Sequence, residues 1–166
     1  MIEVRNVYKS FNGKEVLKDI SFTFEAGKTN LIIGQSGSGK TVLMKSVIGI
    51  HQVDKGQILY NGRDFTKMSN KETALLRQEI GMLFQGSALF DSMTVEENVR
   101  FPLEMFSDKT RKEWEKRVAF CLDRVGLSHA AKLFPSEISG GMQKRAAIAR
   151  AIVLEPTYLF CDEPNS

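Results

Sequence analysis

The segment that most restricts the fold of this chain is a glycine-rich octapeptide, GQSGSGKT, which runs from Gly34 to Thr41. A glycine, four residues, Gly-Lys and then Ser or Thr is the pattern of a loop that binds phosphate groups. The pattern requires a strand before it and a helix after it. Here the apolar run Thr29–Ile33 precedes the loop and an apolar segment, Thr41–Ile48, follows it. The octapeptide therefore predicts a strand, a phosphate-binding loop and a helix in that order.

The chemistry of phosphate binding explains the residue types in this loop. Glycines allow backbone amides to approach phosphate oxygens, and the start of a helix carries a partial positive charge. Lys40 is expected to reach the terminal phosphates, and the Thr41 hydroxyl is expected to bind magnesium. A glycine-rich turn before a lysine is the alternative, but four fixed positions and both flanks would have to coincide. The loop predicts a bound nucleotide with Mg²⁺, and the resemblance described below implies that the nucleotide is ATP; the binding set is Gly34, Gln35, Ser36, Gly37, Ser38, Gly39, Lys40, Thr41 and Val42.

Composition limits the class of protein to which the chain can belong. Its 166 residues are 42% hydrophobic and 26% charged, which is typical of one globular domain. The net charge is +3, and basic residues are interleaved with acidic ones, so no nucleic-acid partner is expected. Cys121 and Cys161 lie in apolar periodic segments, which favours free thiols in a reducing, cytosolic compartment. The sequence contains no apolar stretch long enough for a signal peptide or a membrane span.

Alternating patterns and turn residues predict the strands. Asn12-Gly13 predicts the turn of an N-terminal hairpin, and Asn61-Gly62 predicts a second turn after Gln57–Tyr60. Two short apolar runs predict buried strands, at Ile80–Phe84 and Tyr158–Cys161.

Capping residues and apolar spacing predict three helices beyond the loop. Thr94 and Glu97 form a capping box that marks a helix start. An amphipathic helix around Trp114 should end at Gly126. A third helix should begin at Ser139 and run to Pro156.

Two carboxylates follow the last predicted strand directly. The carboxyl ends of parallel strands are where open α/β sheets bind ligands. Asp162 is placed to complete the magnesium coordination begun by Thr41, and Glu163 to accept a proton from a water that attacks the terminal phosphate. The alternative is a solvated acidic loop. The phosphate-binding loop favours the functional interpretation.

A second glycine motif resembles the signature of one protein family. The segment 138–143, ISGGMQ, resembles the signature motif of ATP-binding cassette (ABC) proteins, although Met142 stands where the consensus has glutamine. The resemblance extends along the chain: Phe11 matches the aromatic that stacks on adenine, Gln85 the Q-loop glutamine, and 162–164 the end of Walker B. The chain is similar to the nucleotide-binding subunit of an ABC transporter. Its segment 82–95 is most similar to lipid-handling members of the Mla (Mce-associated) group.

The resemblance implies a fold and a mode of action. The implied fold class is α/β, a P-loop NTPase (RecA-like) core with an N-terminal antiparallel β subdomain and an inserted α-helical subdomain at about 87–137. All of this lies in a single domain over 1–166. Gln85 is implied as a catalytic residue and a magnesium ligand beside Thr41 and Asp162. Ser139, Gly140 and Gly141 are implied to bind the ATP of a second ATPase subunit in a head-to-tail dimer. Integral permease subunits would hold that dimer at the cytoplasmic face of the membrane, where it would power the transport of a lipid or another hydrophobic substrate.

For several residues, a purely structural role is an alternative to the functional one. Phe11 could pack across strands instead of stacking on adenine. His51 and His129 match no motif position and are expected to be plain surface residues. Phe84, Leu89 and Phe90 could be core residues or could line a groove for a helix of a membrane partner.

The sequence stops at Ser166, where the family continues into a D-loop, a further strand and a switch histidine. We therefore expect a piece of a longer chain, incomplete at the C-terminus, with little or no ATPase activity of its own. Besides the transporter ATPase, three other hypotheses are open: a nucleotide-binding fragment or subunit without turnover, a soluble ABC protein that acts on ribosomes or DNA, and an unrelated phosphate-loop kinase. A kinase has no need of Ser139, Gly140 and Gly141. A chromosome-organising protein would place a long coiled coil before Ser139, and no heptad pattern occurs there.

Overall fold

A computed structural model describes residues 1–84 and 86–162 of the chain. The chain divides into two compact units, Met1–Leu75 and Leu76–Ser166.

The N-terminal unit is built on a four-stranded antiparallel sheet. Strands β1 (Ile2–Phe11) and β2 (Lys14–Phe24) form one hairpin, and β3 (Lys55–Tyr60) and β4 (Arg63–Asp64) form another. The sheet order is β2-β1-β3-β4, so β1 pairs with both β2 and β3. Both predicted turns are confirmed, because Asn12, Gly13, Asn61 and Gly62 all have positive φ, between 47° and 79°.

One helix, α1 (Lys40–Val47), packs beside this sheet, where a helix was predicted. Its apolar residues Leu43 and Val47 are buried, as are Val4 and Ile58 of the sheet. The buried hydroxyl of Tyr60 donates a hydrogen bond of 2.8 Å to the carbonyl of Val47. This contact joins β3 to the end of α1 and fixes the helix that follows the glycine-rich loop. A 3₁₀ turn, Phe65–Lys67, follows β4.

The strand predicted at Thr29–Ile33 does not form. This segment has no regular secondary structure, and Leu31 and Ile33 are 82% and 81% exposed. Instead, the Asn30 side chain closes a turn: it accepts from the Glu25 amide at 3.0 Å and donates to the carbonyls of Glu25 and Lys28. A strand needs a neighbour for its backbone groups. The described part of this unit pairs no strand with the segment, so the strand predicted from the apolar run and the loop pattern is wrong here.

The second unit contains two parallel strands and the helices that connect them. Strand β5 (Ile80–Leu83) pairs in register with β6 (Tyr158–Cys161), which confirms both predicted strands. The connecting helices are α3 (Val95–Phe106), α4 (Arg111–Arg124) and α5 (Gly140–Ile152), with 3₁₀ turns at Ser128–Ala130 and Pro135–Glu137. Helix α2 (Asn70–Gln78) contains the boundary between the two units.

The three long helices share one hydrophobic core. It includes Val99 of α3, Cys121 of α4 and Ala149 of α5, each fully buried. Strand β5 approaches this layer at Gly81, where a Cβ atom would lie 2.4 Å from the carbonyl oxygen of Ala151. Only a glycine allows the strand and the end of α5 to come so close. Cys121 and Cys161 are both free, as predicted, and burial raises the pKa of the Cys121 thiol.

Local capping determines where these helices begin. Thr94 accepts from the Glu97 amide and Glu97 accepts from the Thr94 amide, which confirms the predicted capping box of α3. Thr110 and Glu113 form an equivalent box at α4, which was not predicted although the same Thr-x-x-Glu pattern is present in the sequence.

Helix α5 ends at Ile152, four residues before the predicted end at Pro156. The guanidinium of Arg117 donates hydrogen bonds to the carbonyls of Ile152, at 2.8 Å, and Val153, at 3.0 Å. Arg117 therefore satisfies the last carbonyls of the helix from another element, a contact that local pattern does not report. In the described ranges, no helix is both long and apolar enough to cross a membrane.

Candidate functional site

The predicted phosphate-binding loop is an exposed loop that leads into α1. Residues 34–38 are exposed, and Gly39 is the N-cap residue of the helix with a φ of 94°. A Cβ at Gly39 would lie 3.2 Å from Val16 Cγ1 and 3.3 Å from the Val16 carbonyl oxygen. Gly37 also has positive φ, 77°, and faces open space. Position 39 thus needs glycine for its conformation and for close packing on β2.

Lys40 closes this loop through its own ammonium group. Its Nζ atom donates to the carbonyl oxygens of Gly34 and Gln35, at 2.9 Å each. The Ser38 amide also donates to the Gln35 carbonyl, at 3.2 Å. The lysine side chain is flexible, and a phosphate group is a stronger acceptor for an ammonium than a neutral carbonyl. The ammonium therefore lies at the loop and is held by contacts that a phosphate can replace.

The N-terminus of α1 offers backbone amides to an anion. The amides of Lys40, Thr41 and Val42 lie in the first turn of the helix, where no carbonyl of the same helix can accept them. Gly39 supplies no side-chain cap, and the first turn carries no acidic residue. These donors, the helix dipole and Lys40 fit the phosphates of a nucleotide. The half-buried Thr41 would present its hydroxyl to the accompanying magnesium ion.

Phe11 lies at the end of β1 and is 38% exposed. Its ring meets the imidazole of His51 edge to face, with centroids 5.2 Å apart and an interplanar angle of 73°. The ammonium of Lys9 lies over the Phe11 ring, 5.3 Å from its centroid. His51 is partly exposed and makes this ring contact, which the sequence did not predict, whereas His129 is exposed as expected.

The predicted acidic pair lies only in part within the described residues. Asp162 follows β6, and its amide donates to the Leu83 carbonyl at 2.9 Å, which extends the ladder between β5 and β6 by one residue. Its side chain is half-buried at the carboxyl end of that strand. Glu163 and Gln85 lie outside the described residues, so their assigned roles stay predictions. Across 1–84 and 86–162, no three His, Cys, Asp or Glu side chains form a metal-binding cluster.

The signature segment begins a helix, as predicted. Ser139 is the N-cap residue of α5, and its Oγ accepts a hydrogen bond of 3.3 Å from the Met142 amide. Gly140 and Gly141 are exposed, with open space where a Cβ would stand. The three residues form a second exposed helix N-terminus that lacks an acidic side chain in its first turn.

A network behind the signature segment was not predicted from the sequence. Gln143 donates from Nε2 to the Pro135 carbonyl at 2.8 Å and accepts from the Ser87 hydroxyl at 3.2 Å. Arg150, two turns further along α5, donates to the Ser87 carbonyl at 3.2 Å, and burial lowers the pKa of its guanidinium. Gln143 and Arg150 lie seven residues apart, which places them on the same face of a helix. This spacing could have predicted from the sequence that both side chains contact the same segment.

Buried Asn98 fixes the loop before α3. Its Oδ1 accepts from the Phe90 amide at 2.8 Å, and its Nδ2 lies 3.0 to 3.1 Å from the carbonyls of Phe90, Met93 and Thr94. Leu89 packs against the helical core, whereas Phe84 and Phe90 are 38% and 43% exposed. Leu89 thus lies at the edge of the core, and Phe84 and Phe90 present part of their rings to solvent.

Solved structures share this fold. The chain aligns with an ATP-binding cassette, MJ0796, in a dimeric post-hydrolysis state bound to ADP and Pi, with a TM-score of 0.89 and 29% identity over 99% of this chain and 75% of that one. It aligns with CbiO1 from Clostridium perfringens, part of the ABC transporter complex CbiONQ, with a TM-score of 0.88 and 31% identity over 98% of this chain and 65% of that one. The predicted α/β fold class, with its antiparallel β subdomain and helices, is confirmed.

Curated relatives are similar along nearly the whole chain. The probable ribonucleotide transport ATP-binding protein mkl of Mycobacterium leprae (strain TN) is 43% identical over 165 residues, which are 99% of this chain and 48% of that protein. The methionine import ATP-binding protein MetN 1 of Staphylococcus aureus (strain USA300) is 42% identical over 170 residues, which are 100% of this chain and 50% of that protein. The chain thus spans about half the length of the curated relatives it matches. A family model described as ABC transporter matches residues 17–166, and the chain belongs to that family.

Proposed function

We propose that this chain is the ATP-binding and ATP-hydrolysing part of an ABC transporter subunit. The observation that carries the proposal is the loop at the start of α1, where Lys40 and a helix N-terminus without acidic residues converge on one exposed site. The family membership of the chain supports the same function.

The loop residues bind the phosphates, and Lys40 exchanges its bonds to the carbonyls of Gly34 and Gln35 for bonds to the terminal phosphates. Thr41 and Asp162 would hold Mg²⁺, together with Gln85. The bound ion neutralises charge that develops on the phosphates during hydrolysis. Glu163 accepts a proton from the attacking water, and Gln85 helps to position that water. Phe11 stacks on the adenine base.

The proposed assembly is a head-to-tail dimer at a membrane. Ser139, Gly140 and Gly141 open a second helix N-terminus, and one phosphate chain can use both helices if each signature closes on the ATP of a second subunit. The dimer would attach to integral permease subunits on the cytoplasmic face of the membrane. CbiO1, which shares this fold, is itself part of an ABC transporter complex, CbiONQ.

For the transported substrate we propose a lipid or another hydrophobic molecule, on the resemblance of segment 82–95 to the Mla group. The names of the relatives give two competing classes, ribonucleotides and methionine. Purification from membranes with its permease, followed by analysis of the molecules that copurify, separates the three classes. Methionine or a ribonucleotide in place of lipid would contradict the lipid assignment.

Nucleotide binding is tested by titration calorimetry with magnesium and ATP. Lys40→Ala should weaken binding at least tenfold, because a charge-assisted contact is typically worth about 1.5 to 3 kcal/mol. Lys18→Ala is the matched control, since Lys18 is an exposed lysine on β2 whose ion partner is Glu15. Equal affinity of the Lys40 variant and the parent would exclude the loop as the nucleotide site.

Turnover is tested separately in the subunit assembled with its partners. Glu163→Gln should bind ATP normally and lower hydrolysis by about two to four orders of magnitude, the usual contribution of a general base. Hydrolysis at the parental rate would remove Glu163 as the base.

A further inference from the structure

Although the Phe11 side chain is partly exposed, two neighbouring side chains contact its ring. The His51 imidazole meets the ring edge to face at 5.2 Å, and the Lys9 ammonium lies 5.3 Å from the ring centroid. Edge-to-face aromatic pairs and cation–π contacts both stabilise one orientation of a ring. Phe11 is therefore held on two sides while 38% of it stays exposed.

One of the residues that hold Phe11, Lys9, is itself fixed by the carboxylate of Asp54. Asp54 accepts from Lys9 Nζ at 2.8 Å and from the Ser10 amide at 2.6 Å, and its own amide donates to the Tyr8 carbonyl at 2.9 Å. The bonds from Lys9 and Ser10 lower the pKa of Asp54, so the carboxylate remains ionised at neutral pH. Asp54 thus ties the segment that carries His51 to the end of β1 that carries Phe11.

His51 is also anchored from the helix side. Its amide donates to the Lys45 carbonyl at 3.1 Å, near the end of α1, and the Ile50 amide donates to the same oxygen at 2.8 Å. Helix α1 begins at the phosphate-binding loop. His51 therefore connects the helix that carries the phosphate site to the aromatic side chain proposed for the base.

We propose that His51 is a positioning residue, which holds Phe11 in the orientation in which its ring stacks on the base of a bound nucleotide. The proposal rests on the proposed nucleotide-binding function and adds to it a residue that no motif contains. A ring that is already ordered loses less side-chain entropy when a base stacks on it, so affinity for the base portion increases. Core packing alone would not leave the ring exposed or require a contact with the segment that follows α1.

The test compares two ligands that share phosphates and differ in the base. Calorimetry with magnesium and ATP, and in parallel with inorganic tripolyphosphate, separates base recognition from phosphate recognition. His51→Ala should weaken ATP binding about two- to tenfold, the range of an aromatic pair, and leave tripolyphosphate binding unchanged. Phe11→Ala should weaken ATP binding about fivefold or more, as stacking contacts do, with the same lack of effect on tripolyphosphate.

A double variant shows whether His51 acts through Phe11. If it does, Phe11→Ala combined with His51→Ala should bind ATP no more weakly than Phe11→Ala alone. His51→Phe should restore most of the ATP affinity, because phenylalanine can make the same edge-to-face contact. His129→Ala, which removes an exposed histidine from the turn Ser128–Ala130, is the matched control and should change neither ligand.

The outcomes separate this proposal from the proposed function. Equal loss of ATP and tripolyphosphate affinity in His51→Ala, additive losses in the double variant, or no loss at all would overturn the role of His51 while Lys40 remains the phosphate ligand. Unchanged affinity for both ligands in Lys40→Ala, or no binding by the parent chain, would overturn the phosphate site and the role of His51 with it.

Discussion

Asn98 offers a sharp test of how the second unit is held together. Its side chain is fully buried on α3, and every hydrogen bond that it makes reaches backbone atoms of the loop 90–94. Asn98→Ala removes all of these bonds at once and leaves the Phe90 amide without its acceptor.

The expected loss of unfolding free energy in Asn98→Ala follows from the number of hydrogen bonds that the side chain makes. Oδ1 accepts one bond, and the two hydrogens of Nδ2 serve three carbonyls, so the side chain contributes about three full hydrogen bonds. At about 1 kcal/mol net for each bond, the loss is about 3 kcal/mol, and the unpaired Phe90 amide adds about 1 kcal/mol or more. We therefore expect Asn98→Ala to lower the free energy of unfolding by about 4 kcal/mol. Asn98→Asp should lose most of the same energy, because a carboxylate keeps the acceptor but places charge against three carbonyls.

The fluorescence of Trp114, the only tryptophan of the chain, reports on the unfolding of the second unit. Trp114 lies on α4 and packs against the same hydrophobic core as the helix that carries Asn98. Urea unfolding followed by its fluorescence gives the change in free energy. Glu104→Ala, on the exposed side of α3, is the matched control and should cost less than about 0.5 kcal/mol, since it removes only an exposed pair with Arg100. A loss below about 1 kcal/mol in Asn98→Ala would refute the argument that this side chain fixes the loop.

Two further predictions concern the same unit. Gly81→Ala should lower the free energy of unfolding by about 1 to 3 kcal/mol, because the new Cβ would lie 2.4 Å from the Ala151 carbonyl oxygen, and an unchanged urea midpoint would show that β5 and α5 separate freely. Hydrogen bonds from the Thr94 amide and hydroxyl lower the pKa of Glu97 below its ordinary 4.5, so the stability that Glu97 contributes is complete above pH 4.5 and is lost as the pH falls through the lower folded-state pKa. Glu97→Gln, which keeps an acceptor for the cap, should therefore approach the parent in stability as the pH falls below 4.5, and a constant difference between the two from about pH 7 to about pH 3 would contradict this assignment.

Features that depend on adjacent residues could be predicted from the sequence. The Asn12-Gly13 turn and the Thr94 capping box each need only a few neighbouring residues, and both form as expected. The strand expected at Thr29–Ile33 needs a partner strand, which its own residues do not encode. The end of α5 depends on Arg117, 35 residues away along the chain, and the local pattern missed it.

In the candidate site too, features formed by consecutive residues could be predicted from the sequence, whereas contacts between distant residues could not. The loop and the signature helix start could be located because their residues are consecutive, and each begins a helix where expected. The contacts that connect the site to the rest of the fold join distant positions. Ser87 and Gln143 are 56 residues apart, and His51 meets Phe11 only after β1 and α1 are both in place. Such contacts depend on tertiary packing, which a pattern of single residues does not contain.

The exposed side chains of Leu31 and Ile33 have a consequence for how this chain behaves in concentrated solution. Two large aliphatic side chains that face water, in a segment whose backbone pairs with no described strand, favour the addition of a strand from another molecule. A net charge of only +3 gives weak repulsion between molecules. Self-association of the chain should therefore rise with protein concentration and start at this segment. Substitutions in the hydrophobic core would change the free energy of unfolding and leave the association unchanged, whereas one charged residue at Leu31 or Ile33 would keep the molecules apart.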